Sequence, residues 1–152
     1  MTGFYTQGCD YKPAAKRKLS AWVRDTAACE GYAVGDISFV FCSPEYHLEV
    51  NRAYLGHDYN TDVITFDYSD LQNERVISGD ILIDPSTVRS QAPRWGATES
   101  EEMLRVMIHG VLHLCGYGDK SPEEEAVMRG RENHYLKRWH DIFESPGQQE
   151  TP

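Results

Sequence analysis

One stretch constrains this chain more than any other. Leu104, Met107, Ile108, Val111, Leu112 and Cys115 recur at helical spacing, and His109 and His113 sit on the flank of that row. The spacing predicts an amphipathic helix whose apolar stripe faces a core. Thr98, with Glu101 three residues on, opens it, and it runs to about Cys115. Residues four apart stand one above the other on a helix, so two imidazoles at i and i+4 can present nitrogens to one cation. Gly116 is a natural left-handed stop, and Gly118 keeps the next link flexible. The chain can therefore turn back and bring Asp119 towards the same point. The competing reading of Asp119 is a turn residue bonded to its own backbone.

His109, His113 and Asp119 are the candidate metal ligands. Three protein ligands leave a fourth position for water, the mark of a catalytic rather than a structural site. The expected cofactor is one zinc ion, with another divalent transition metal as the alternative. The spacing H-x-x-x-H-x-x-G-x-x-D parallels the metzincin pattern, with Asp in the third place. Metalloproteases of that pattern carry Glu directly after the first His as general base. Gly110 stands there, which disfavours ordinary zinc proteolysis.

The remaining signals place this helix late in a mixed chain. Leu19, Trp22, Val23 and Thr26 predict a helix within Lys12 to Glu30, stopped by Gly31. Alternating Ile37, Phe39 and Phe41 predict a strand over Asp36 to Cys42, and further strands are expected over Asp62 to Tyr68 and Val76 to Ile83. An opening strand is expected near Phe4 to Cys9. Ser43-Pro44, Asp84-Pro85 and Ser121-Pro122 each set a capping side chain before proline, which predicts three helix starts. Ser121 also has Glu124 three residues on, a capping box. The expected fold class is α+β: a small mixed β-sheet with helices packed on it and a zincin-like metal helix. One domain is expected over residues 1–143, with a disordered tail over 144–152.

Composition narrows the setting. The 152 residues suit one domain that needs no disulfide to hold a core. Cys9, Cys29, Cys42 and Cys115 form no CxxC pair and read as reduced, mostly buried thiols. No secretory leader and no membrane span is evident, so a cytoplasmic location is expected. Fifteen Lys+Arg against 24 Asp+Glu give −9. That charge opposes nucleic-acid binding at long range but leaves room for a local basic patch. Two clusters qualify: Lys12, Lys16, Arg17, Lys18 and Arg24, and Arg129, Arg131, Lys137 and Arg138. Ordinary solvated helix faces are the plainer reading of each.

At this point the chain resembles the YbeY family of bacterial endoribonucleases. The family's H-G-x-L-H-L-x-G-Y-D-H stands here as His109-Gly110-Val111-Leu112-His113-Leu114-Cys115-Gly116-Tyr117-Gly118-Asp119. Asn51-Arg52-Ala53-Tyr54, then Asp58 and Thr61-Asp62-Val63-Ile64-Thr65-Phe66, resemble its L-N-x-x-Y-R…D-x-P-T-D-V-L-S-F. Gly79-Asp80-Ile81-Leu82-Ile83 and Glu125-Ala126 with Met128 and Glu132 are further matches. The resemblance spans roughly residues 35 to 140, and several motifs in the right order are more specific than one.

The resemblance implies an α+β fold, a zinc-like ion on three ligands, and single-stranded ribosomal RNA as substrate. It implies ribosomal subunits and a small-subunit ribosomal protein as partners. The first two family histidines fall on His109 and His113, and the third falls on Asp119. The family's arginine after Tyr falls on Leu55; Arg52, three residues earlier and on nearly the same helix face, is the candidate substitute. A solvated surface arginine is its plainer reading. No catalytic base is assigned.

His47, His57, His134 and His140 match no ligand position and read as surface or packing residues. A Cys115 thiolate ligand is the minor alternative to a buried thiol. Asp58, Asp62, Asp67, Asp70, Asp80 and Asp84 suggest a magnesium site, but turns and strand ends explain them more simply. The function expected is metal-dependent endoribonuclease action in ribosomal RNA maturation and ribosome quality control. The rivals are a metalloprotease-like hydrolase and a non-enzymatic ribosome-assembly factor with a structural metal.

Overall fold

A computed structural model describes residues 1–55 and 63–144 of the chain. Its sheet has four strands among these residues: β1 Thr2–Gln7, β2 Ala33–Cys42, β3 Val63–Asp67 and β4 Val76–Ile83. Their order is β1-β2-β4-β3. β1 pairs parallel to β2, β2 parallel to β4, and β3 antiparallel to β4. The expected opening strand is therefore real, and it forms a parallel edge. The helices are α1 Lys16–Cys29, α2 Pro44–Val50, α3 Pro85–Gln91, α4 Glu99–Leu114 and α5 Pro122–Arg138. The chain is α+β, as its pattern implies.

Alternation along the strands divides the sheet into two unequal faces. Ile37, Phe39, Phe41, Ile77, Ile81 and Ile83 point to one face and join Trp22, Met107, Ile108, Val111 and Leu112 in the main core. α5 closes that core with Met128, Tyr135 and Leu136. On the opposite face a smaller apolar cluster, Cys42, Val50, Ile64 and Leu82, is buried with α2. Buried Trp22 donates its indole N–H to the Tyr135 carbonyl at 2.9 Å, which ties α1 to α5.

The local signals fix most helix starts. Ser43 accepts from the Tyr46 amide, Asp84 from Ser86 and Thr87, Thr98 from Glu101, and Ser121 from Glu124. The Ser121 box is offset, because the Glu124 carboxylate reaches the Lys120 amide rather than that of Ser121. α1 is shorter than its periodicity suggests. Ala15 lies at φ 58°, and Pro13 disfavours helical geometry at Lys12, so the helix begins at Lys16. Gly31, at φ 90°, ends its last turn as expected.

Other expectations divide. Cys42 and Cys115 are buried, whereas Cys29 is exposed and Cys9 half-buried. The expectation of mostly buried thiols fails at Cys29, on the last turn of α1, where the helix faces solvent. His47 is buried against the Leu82 carbonyl, 3.3 Å from its Nε2. Asp67, Asp70 and Asp84 accept from nearby backbone amides, and Asp80 from the Tyr68 hydroxyl, so their local roles explain them. His57, Asp58, Asp62, the Leu55 side chain and residues 145–152 of the expected tail lie outside the described residues.

α4 lies against β4 with two glycines at the contact. A Cβ on Gly79 would stand 2.3 Å from the Phe66 carbonyl oxygen and 2.7 Å from Leu114 Cδ2. One on Gly110 would stand 2.7 Å from Ile81 Cγ2. Gly130, exposed on α5, meets nothing within 4 Å. Gly79→Ala is therefore expected to destabilise by about 1–3 kcal/mol through overpacking. Gly130→Ala is expected to stabilise by about 0.5–1 kcal/mol through backbone entropy. Urea unfolding should show the two midpoints moving in opposite directions at constant m.

His140 gives a pH test. It is hydrogen-bonded to Glu144 and lies 3.0 Å from Glu101 at the start of α4. The Glu144 bond is the largest influence, and with the Glu101 charge it outweighs partial burial and raises the imidazole pKa. A raised folded-state pKa gives stability that is full below the unfolded value of about 6.5 and is lost as pH rises through the folded value. Urea midpoints of wild type and His140→Gln should therefore differ at pH 5.5 and converge by pH 9.

Candidate metal centre

α4 carries His109 and His113 one turn apart, with ring centroids 4.6 Å apart and the planes at 84°. The helix ends in a Schellman turn: Gly116, at φ 104°, donates to the His113 carbonyl, and Tyr117 donates to that of Leu112. This reversal brings two groups back to the histidines. The Tyr117 carbonyl accepts from His113 Nδ1 at 2.8 Å. Asp119 Oδ2 stands 3.2 Å from Nε2 of both His109 and His113. One ligand atom from each of the three lies within 4.8 Å of the others, and they are the one such trio of His, Cys, Asp or Glu among the described residues.

α5 supplies a further part. Glu132 is buried, and its Oε2 accepts from His109 Nδ1 at 2.6 Å. Its other oxygen accepts from Arg105 at 2.8 Å, and Arg105 also donates to Asn133. Burial alone would raise the Glu132 carboxyl, but the bonds from His109 and Arg105 together hold it below the usual carboxylate range. On the other side of the turn, the Tyr117 hydroxyl donates to Glu30 at 2.7 Å. The Tyr135 hydroxyl donates to the second oxygen of Glu30. α1 and α5 thus hold the returning loop.

These partners decide where the imidazole lone pairs point. A carbonyl only accepts, so His113 Nδ1 carries a hydrogen; an ionised Glu132 imposes the same on His109. In neutral rings both Nε2 lone pairs then face Asp119 Oδ2. Three acceptor atoms thus converge, an arrangement that a cation or shared protons would satisfy. The separations suit a metal. Ligands about 2.0–2.1 Å from zinc at a tetrahedral angle stand about 3.3 Å apart, close to the 3.2 Å between Asp119 and each imidazole. A His-His-Asp group able to hold a metal ion is thus assembled.

The other expected site residues divide clearly. Cys115 is buried beside the trio but outside it, and burial pushes its thiol up to about 12. Arg52 lies exposed in the π-helical turn Asn51–Leu55, and it is not among the described residues that line the cleft at the metal ligands. Position 110 packs on Ile81, and the glycine there supplies no carboxylate beside the first histidine. The basic cluster on α5 disperses: Arg131 faces Glu30, Lys137 pairs with Asp141, and Arg138 with Asp25. Arg129 alone of that cluster lines the cleft, a cavity of about 730 Å³ shared with His109, Asp119, Arg94, Trp95 and Arg105. Sequence reading gave no role to Glu132 or Arg105. The available signal was a charged residue in the apolar row Met128, Glu132, Tyr135, Leu136 of α5, since a buried charge requires a partner.

Comparison with known proteins gives the chain a family. The family model described as Endoribonuclease YbeY matches residues 7–140. A protein named Endoribonuclease YbeY from Phocaeicola vulgatus is 46% identical over 136 residues, covering 90% of this chain and 96% of the relative. One of the same name from Flavobacterium psychrophilum is 48% identical over 131 residues, covering 86% and 91%. The solution structure of TM1509 from Thermotoga maritima superposes with a TM-score of 0.61 at 23% identity, covering 98% and 97% of the two chains, and so shares the fold. With the family match running from the end of β1 past the end of α5, this chain belongs to the YbeY family of endoribonucleases.

Proposed function

We propose that His109, His113 and Asp119 hold one divalent transition-metal ion, zinc in the first instance. On this reading the chain is a metal-dependent endoribonuclease that cuts single-stranded ribosomal RNA during its maturation and in ribosome quality control. The observation that carries it is the convergence of three acceptor atoms on one point, with both imidazoles oriented from behind. Family membership supplies the reaction class. α4 then acts as a metal-bearing helix of zincin type, without the zincin glutamate. Every part needed falls within residues 1–143, which we read as one domain working in the cytoplasm on ribosomal subunits. No helix among the described residues is long and apolar enough to cross a membrane.

When bound, such an ion supplies Lewis acidity towards a phosphoryl oxygen and makes water more acidic. The chain's own residues do the rest. Glu132 and the Tyr117 carbonyl keep the hydrogens on Nδ1 and turn the Nε2 lone pairs towards Asp119. Arg105 keeps Glu132 ionised despite its burial. Arg94 and Arg129, which also line the cleft, offer guanidinium groups to neighbouring phosphates. Proteolysis lacks its usual base, because residue 110 is glycine rather than glutamate.

Elemental analysis of His109→Ala, His113→Ala and Asp119→Ala should show sharp loss of metal. Full occupancy in any one removes that residue from the site. Glu132→Gln should keep the ligands but weaken metal affinity by about 10–100-fold, since it loosens the orientation of His109.

Single-stranded ribosomal RNA should be cut by the loaded protein, spared after chelation and cut again once zinc is restored, while casein stays intact. RNA cleavage that survives complete metal removal would overturn the reading. Binding should weaken as salt rises, because phosphate contacts release counterions.

A further inference from the structure

The cleft holds an exposed aromatic surface that metal chemistry does not use. Trp95 ends the 3₁₀ turn Ala92–Trp95 and is 61% exposed, whereas Trp22 and Trp139 are 0% and 6% exposed. The Arg129 guanidinium lies 4.8 Å over the Trp95 ring. Several arginines are matched to acids: Arg89 to Glu99, Arg105 to Glu132, Arg138 to Asp25. Arg94 and Arg129 have no ion-pair partner among the described residues, and both line the cleft with Trp95, His109 and Asp119.

We propose that Trp95, backed by Arg129, is a stacking platform for a nucleobase flanking the bond that is cut, with Arg94 and Arg129 taking adjacent phosphates. The inference rests on the endoribonuclease reading above and names how that site holds its strand. An indole offers a flat face to any base, so stacking tolerates sequence. It demands an unpaired base, which makes the platform a selector for single strands. Stacking also does not depend on net charge. A chain at −9 is opposed by a polyanion at long range, so affinity from stacking and two local cations is what such a chain can use. The Arg129 cation over one face orders the indole before any ligand arrives.

Trp95 is exposed and packs no core, so substitution spares the fold. With the zinc-loaded protein and a single-stranded RNA oligonucleotide, Trp95→Ala should raise KM by about 5- to 150-fold. The kcat value and metal content should stay near wild type, because the contact serves binding rather than the reacting bond. Trp95→Phe should recover most of the loss. Trp95 is the one exposed tryptophan of three, so the oligonucleotide should quench the solvent-exposed part of the emission. A sugar-phosphate oligomer lacking bases should not quench it, and should bind wild type and Trp95→Ala alike.

An unchanged KM in Trp95→Ala, in a protein that still cuts RNA, overturns the platform and leaves the endoribonuclease reading intact. A wild type that neither binds nor cuts RNA overturns both. Loss of binding in Lys16→Glu/Arg17→Glu on α1 with none in Trp95→Ala would place the strand on α1 and overturn the platform.

Discussion

The close approach of α4 to β4 is the constraint on which the rest of this structure depends. It is possible because side chains are missing on both surfaces. Gly79 on the strand leaves room for Leu114 and the Phe66 carbonyl, and Gly110 on the helix leaves room for Ile81. Helix and strand then share the buried row of Met107, Ile108, Val111 and Leu112 against Ile77, Ile81 and Ile83. Interiors packed to crystal-like density do not permit that helix to rotate without clashes. The rotation of α4 sets where His109 and His113 point, so the steric fit at two glycines determines the geometry of two imidazoles.

That fit leaves two histidine flanks to be satisfied, and different parts of the chain do so. His109 is held from α5 through Glu132, whose charge is balanced by Arg105 from α4 itself. His113 is held by the carbonyl of Tyr117, in the loop the Schellman turn creates. Tyr117 is in turn anchored on Glu30 at the end of α1, where Tyr135 of α5 also donates. Each imidazole is thus oriented by a partner outside the helix that carries it. Such outer partners fix tautomer and ring angle and matter nearly as much as the ligands do.

Local parts of this arrangement are legible in the sequence because local physics decides them. The caps at Ser43, Asp84, Thr98 and Ser121 each depend on residues two or three apart, and each formed. The i, i+4 histidines and Gly116 place Asp119 nearby for the same reason. Partners such as Glu132, 23 residues from His109, depend on how α5 crosses α4. No periodicity encodes that crossing. Strand order is equally hidden: β4 sits between β2 and β3, a consequence of parallel pairing across the sheet. The start of α1 is not legible within Lys12 to Glu30, because Leu19, Trp22, Val23 and Thr26 report a face and not a boundary. Pro13 and the left-handed Ala15 determine the boundary.

Charge bookkeeping around the trio explains how an acidic chain can present a site attractive to phosphate. Glu132 contributes one negative charge, and Arg105, 2.8 Å away, cancels it. The oriented imidazoles contribute none when coordinating. Asp119 contributes one more negative charge, so on the proposed reading a divalent ion leaves the centre at a net +1. Arg94 and Arg129 then add their charges to the same cleft. Glu102 and Glu125 line the cleft as well and offset those two arginines, so the charge of the centre itself is what tips the local balance towards phosphate. A third histidine in place of Asp119 would make the centre more positive. It would also remove the harder oxygen ligand, which favours metals such as manganese more than an all-imidazole set does. On that reading the carboxylate exchanges some attraction for phosphate against a broader tolerance of metal ions.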